Sequence, residues 1–221
     1  MDVGEASRLK DGIVSWLAGS DIVSDDGAVY SWANPEKPGY IYSEIMGYYI
    51  KLFSYLFKKT GDESHLENAR RTADRLASQL SEHGAATREG IEYAFDSAMC
   101  ISGLLALSRT GTLDEKQEET LRKLAGFVYD SIKAKAAAFK DGKPLVDEDR
   151  WSLSYGTLLI KACMPLYELY EHYGDEKYKT LAESVSDELI SLTFKGDHFT
   201  INGSRDWVYT QSLLPFIVKW S

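Results

Sequence analysis

The amino-acid sequence predicts an all-α protein built from helical hairpin repeats. Three observations carry this expectation. Apolar residues return at helical spacing through most of the 221 residues. Charged, one-sided helical segments alternate four times with largely apolar ones. The triplet Gly61-Asp62-Glu63 recurs as Gly174-Asp175-Glu176, an offset of 113 residues.

The elements follow in chain order. Residues 4–19 carry Ala6, Leu9, Ile13, Trp16 and Leu17 on one stripe of a first helix. Residues 20–39 hold Asp25-Asp26-Gly27, Asn34-Pro35 and Pro38-Gly39, which are turn chemistry and mark a long loop. Residues 41–60 are apolar or aromatic around much of the circumference, from Ile41 through Tyr48, Phe53 and Phe57, as an interior helix requires. Residues 63–82 instead set Leu66, Ala69, Ala73, Leu76, Ala77 and Leu80 against a charged face of Glu67, Arg70, Arg71, Asp74 and Arg75. A loop at 84–92 leads to an apolar helix at 94–109 and a charged one at 114–139. A loop at 140–151 leads to an apolar helix at 153–173 and a charged one at 176–193. The loop 194–206 precedes a last apolar helix, 207–220. Pro165 and Pro215 fall inside apolar helices, where kinks rather than breaks are expected, because the apolar periodicity continues on both sides.

The offset of 113 also aligns Tyr42 with Tyr155, Leu56 with Leu169, Ala69 with Ala182, Asp74 with Asp187 and Leu76 with Leu189. Two units per offset give ~56 residues each, a helical hairpin with one long loop. The whole of 1–221 reads as one domain.

Composition narrows the function classes. The chain is 44% hydrophobic and 27% charged, ordinary for a folded domain of this length. A net charge of −9 and the absence of any basic block argue against a nucleic-acid partner, which would need cations to neutralise phosphates. No apolar run is long enough for a membrane span. The first residues lack a basic-then-apolar leader, so a cytoplasmic location is expected. Cys100 and Cys163 read as buried thiols, and His65, His83, His172 and His198 have no ligand spacing, so no metal is expected. Phosphate-cradling glycine motifs are missing, so no cofactor is expected either.

Hairpins whose apolar inner helices are entered from long loops resemble the α/α-toroid, or six-hairpin glycosidase-like, superfamily of glycoside hydrolases, sugar epimerases and polysaccharide lyases. The stretch Tyr40-Ile41-Tyr42-Ser43-Glu44-Ile45-Met46-Gly47-Tyr48-Tyr49 is similar to a loop-to-inner-helix junction of such proteins, and Asp206-Trp207-Val208-Tyr209-Thr210-Gln211 to the last one. Complete toroids use about six hairpins and this chain supplies four, so the resemblance implies an incomplete or small toroid.

In a toroid the inner helices begin on one face, so the resemblance gathers the residues of those junctions there. Glu44, Asp96, Asp149 and Asp206 are the candidate catalytic carboxylates, with Glu44 and Asp96 as the first-choice pair. Two carboxyl groups of split pKa can act as acid and base in glycoside cleavage. Trp32, Tyr40, Tyr42, Tyr93, Trp151, Tyr155, Trp207 and Tyr209 offer flat apolar faces with polar tips for sugar rings. Arg150 and Arg205 bind an anionic group or pair with the neighbouring aspartates. Acidic residues in a first helical turn also serve simply as caps and dipole partners. Two functions are therefore expected in competition. One is a carbohydrate-binding or carbohydrate-processing protein, a glycoside hydrolase if catalytic, with an oligosaccharide partner. The other is a non-catalytic helical-repeat module whose concave face binds a protein or glycan. The apolar last helix needs cover, either from residues 4–19 or from a second copy, and a homodimer is the favoured expectation.

Overall fold

The computed structural model describes residues 2–34, 36, 39–111, 113–141, 156, 158–194 and 196. The described residues hold seven helices: α1 (Val3–Leu17), α2 (Ser43–Thr60), α3 (Glu63–Ala77), α4 (Ala94–Ser108), α5 (Glu115–Lys140), α6 (Leu158–Tyr173) and α7 (Glu176–Thr193). The only named strands among them are β1 (Thr87–Arg88) and β2 (Ile91–Glu92), a two-residue antiparallel hairpin. The all-α expectation holds. The expected helix 207–220, with Pro215, and most of the loop 140–151 lie outside the described residues.

The helices form two layers. α4 is buried on nearly every side, as its almost wholly apolar sequence demands, with α2 against one flank and α6 against the other. The charged helices α3, α5 and α7 pack outside, each through one buried stripe. Ile101, Leu104 and Leu105 of α4 are sealed from solvent. Burying each side chain of that size stabilises by roughly 1.5–3 kcal/mol, so the inner layer is the energetic centre of the fold.

Cross-contacts fix the direction of the inner helices. Ser43 meets Cys100 and Lys51 meets Ser102, while Ser102 meets Glu168, and Phe95 lies beneath Lys161. Residue numbers rise together along α2, α4 and α6, so the three run parallel and begin at the same end. α2 and α4 approach closely at two glycines. A Cβ on Gly47 would lie 2.5 Å from the Met99 carbonyl oxygen, and one on Gly103 would lie 2.5 Å from the carbonyl oxygen of Gly47. Backbone against backbone leaves no room for a side chain there.

Short turns close the hairpins. Gly61 and Gly174 both adopt φ 70°, and their N–H groups return to Phe57 and Tyr170 carbonyls. Asp62 and Asp175 then cap α3 and α7 by accepting the Ser64 and Lys177 N–H groups. Asp114 caps α5 in a reciprocal capping box with Gln117. The aligned pairs Ala69 with Ala182 and Leu76 with Leu189 are all buried, so the repeat extends from the turns into the core.

The boundaries differ from expectation in two informative places. Ile41 pairs with Tyr30 in an antiparallel bridge instead of opening α2, and Leu80 pairs with Ala86 instead of extending α3. Both apolar residues continue the helical pattern but are taken by loop backbone. α6 runs through Pro165 unbroken, held by the buried Leu166 and Leu169 beyond it. α1 departs most. Its apolar residues Leu9, Ile13 and Trp16 stand 56%, 49% and 57% exposed, and only Ala6, Val14 and Leu17 of the described side chains are partly covered.

Candidate functional site

Two inner helices start in the same way. Tyr42 precedes α2 and Tyr93 precedes α4, both extended and neither giving a side-chain cap. Each helix carries an acid in its first turn, Glu44 and Asp96 respectively. Because α2 and α4 are parallel and nearly touching, these two acids come to the same end of the inner layer.

Loop backbone fixes the surroundings. The first long loop folds back on itself, with Ser31 N–H donating to the Tyr40 carbonyl (2.9 Å) and Tyr42 N–H to the Val29 carbonyl (3.0 Å). The second loop makes the β1–β2 hairpin, whose two turn residues Glu89 and Gly90 both have positive φ, 53° and 75°. That geometry suits the right-handed twist of a two-residue hairpin turn. It carries Arg88 over the rings of Tyr93 (4.8 Å), Tyr42 (5.2 Å) and Tyr40 (5.9 Å). Tyr93 is tied down in turn, its N–H donating to the Ala86 carbonyl and its carbonyl accepting from Ser97 Oγ. Trp32 meets Tyr40 edge to face at 5.3 Å, and Tyr40 meets Tyr42 at 5.5 Å. A continuous aromatic path therefore runs from Trp32 to the acids, with one guanidinium above it.

The acids are held tightly. Tyr42 Oη donates to Glu44 Oε2 at 2.5 Å. Lys161 of α6 donates to the Tyr48 hydroxyl and lies 4.7 Å over the Tyr48 ring and 5.2 Å over Phe95. Asp96 is only 4% exposed. Burial, and then the negative charge of Glu44, push its pKa up to about 7, against the opposing pull of Arg88. The helix N-terminus favours the charged carboxylate, so burial and repulsion overcome it here. Burial and Glu44 also push the Tyr42 and Tyr48 hydroxyls well above the usual phenol range. Lys161 is pushed below the usual amine range by burial, with the Glu44 charge opposing that and Lys51 adding to it. The result is one carboxyl poised to be protonated near neutrality beside a second carboxylate, enclosed by hydroxyls and two cations.

Further along the same inner face stands a second polar group. Lys51 Nζ donates to Ser102 Oγ (2.6 Å), which donates to Glu168 Oε2 (2.8 Å), and Arg109 lies 3.9 Å from Glu168 and 3.7 Å from Glu171. Glu168 is buried, so this network compensates its charge. Among the described residues, no group of three or more His, Cys, Asp or Glu side chains is placed to hold a metal ion. No described helix is long and apolar enough to cross a membrane.

Of the residues singled out from sequence, Glu44, Asp96, Tyr40, Tyr42, Tyr93 and Trp32 come together. Asp149, Arg150, Trp151, Tyr155, Arg205, Asp206, Trp207 and Tyr209 lie outside the described residues. Sequence reasoning missed Arg88, Tyr48 and Lys161. The 113-residue offset held the signal for two of them, because Tyr48 and Lys161 are equivalent positions of the repeat.

The site's electrostatics are testable by substitution. Arg88→Met is expected to raise the Asp96 pKa above about 7, because it removes the opposing cation. Glu44→Gln is expected to lower it, because it removes the repelling charge. Carboxyl carbon chemical shifts followed by NMR across pH would read both; displacement in the same direction would overturn the assignment.

No known protein-family model matches the chain, and no curated protein matches it in sequence.

Proposed function

We propose that the chain is an arc of an α/α toroid that binds a carbohydrate and cleaves it at the Glu44–Asp96 pair. The observation that carries this reading is Asp96, a buried carboxyl held near pH 7 beside a second carboxylate at the end of an aromatic path. The parallel inner helices, with their first turns at one end, support the toroid arrangement. In such a site Asp96 donates its proton to the leaving oxygen as the glycosidic C–O bond breaks. Glu44 either activates water or attacks the anomeric carbon. Tyr42 orients Glu44, and Trp32 and Tyr40 present ring faces to the sugar.

A second reading is favoured by one specific observation. Asp96 is 4% exposed, and an acid that hands its proton to a substrate must be reached. If it stays sealed, the same aromatic path serves a non-catalytic helical module that binds a glycan.

Nitrophenyl glycosides of the common hexoses and pentoses, in both anomeric forms, separate the readings. Catalysis predicts turnover of at least one, and turnover of the matching oligosaccharide that falls as pH rises through about 7 as Asp96 loses its proton. Asp96→Asn is then expected to lower kcat by about 10²–10⁴-fold on the matching oligosaccharide, whose leaving oxygen needs the proton, and far less on the nitrophenyl glycoside, whose leaving group departs as the anion. Glycan-array binding without turnover favours the module, and neither binding nor turnover overturns both.

A further inference from the structure

Outside the acidic pair, the described residues line an open cleft between the end of α1 and the first long loop. Its volume is about 550 Å³, within the roughly 300–1,000 Å³ common for small-molecule sites. Trp16 and Trp32 line it with Tyr30, Ser20, Asp21 and Asn34. Two indoles beside a carboxylate, two hydroxyls and an amide match a sugar ring, which presents C–H groups on its faces and hydroxyls at its edge.

Backbone bonds hold the cleft's frame in place. Gly19 N–H returns to the Trp16 carbonyl, Ile22 and Val23 N–H groups donate to Gly19, and Tyr30 N–H donates to Ile22. Asn34 Oδ1 accepts from Glu36 N–H at 2.9 Å, which fixes the amide. Trp16 stands exposed on α1, while Val14 and Leu17 of the same helix pack against the core. Trp32 belongs to both places. It lines the cleft and also begins the path through Tyr40 and Tyr42 to Glu44, each ring step shorter than 6 Å.

We infer that this cleft is a distal subsite for an oligosaccharide whose reacting unit lies at Glu44 and Asp96. This rests on the carbohydrate reading above and adds to it: the ligand is an extended chain of several sugar units, gripped by Trp16 and Trp32 at one end.

Tryptophan fluorescence titrations with β-1,4-linked oligosaccharides of glucose, N-acetylglucosamine, mannose and xylose, one to five units long, test it. For at least one series, affinity should rise with chain length. Trp16→Ala and Trp32→Ala should weaken the longest member roughly three- to tenfold, the range an aromatic contact of ordinary strength supports. Trp16→Ala should leave the one- and two-unit ligands unchanged. Asp96→Asn, by contrast, should alter short and long ligands alike. Affinity that does not depend on chain length overturns the subsite, as does a Trp16→Ala protein that binds the longest ligand unchanged. A Trp16→Ala protein that changes oligomeric state by light scattering while keeping its affinity marks the indole as an assembly contact instead. Binding of no sugar by the wild type removes the carbohydrate reading itself, and the subsite with it.

Discussion

At pH 8 the Asp96→Asn protein is expected to be more stable than the wild type by up to about 4 kcal/mol, with the gain vanishing below about pH 4. The sign follows from linkage. Asp96 has a folded pKa near 7 against an ordinary 3.8, so the folded state holds the proton more tightly than the unfolded one. That contribution to stability is complete below the unfolded pKa and is lost as pH rises through the folded one. Asparagine keeps the shape, does not titrate and loses nothing over that window. Urea unfolding of both proteins from pH 3.5 to 8 provides the check, since other titrating groups are common to both and largely cancel. A difference that stays flat across the window would show that Asp96 ionises normally. A carboxyl that weakens its own fold above neutrality is the expected cost of burying it beside a like charge.

Gly47→Ala is expected to destabilise the fold by about 3 kcal/mol or more, although alanine is intrinsically the better helix former by about 1 kcal/mol. The new methyl would stand 2.5 Å from the Met99 carbonyl oxygen and 2.6 Å from its carbon, and backbone cannot swing aside as a side chain can. α2 and α4 would have to part. Gly126 supplies the control. It lies on an exposed position of α5 with nothing within 4 Å, so Gly126→Ala should stabilise by about 0.5–1 kcal/mol. Equal effects at the two glycines in denaturant melts would mean that the crossing is looser than described. Because Glu44 is one turn before Gly47, parting the helices should also draw the Asp96 pKa back toward its ordinary value.

The helices were legible because their determinants are local. Periodic apolar residues, the aspartate caps and the Gly-Asp turns act within a few residues of one another. The meeting of Glu44 and Asp96 was legible at one remove, through the expectation that the inner helices begin on one face. Arg88 was not, because two-residue strands are too short to show an alternating pattern. Its place depends on a hairpin turn that puts a non-glycine residue, Glu89, at positive φ. Lys161 was legible only through the repeat: within α6 it reads as one cation in an apolar helix, and the 113-residue offset is what aligns it with Tyr48. The α1 stripe marks a limit of periodicity itself. Spacing says which face of a helix is apolar but not what stands against it, and among the described residues nothing covers Leu9, Ile13 and Trp16.

The two cysteines follow different boundaries. Cys100 donates from α4 to the Ser43 carbonyl at the start of α2, at 3.1 Å, while Cys163 of α6 bonds Ser186 of α7. Both are buried, and burial pushes the first thiol far above its usual range and the second up to about 12. Neither forms a thiolate in place, so alkylation must wait until a helix pair separates. The chain thus carries two native clocks, one timing the departure of α2 from α4 at the acidic pair and the other the loosening of the α6–α7 hairpin.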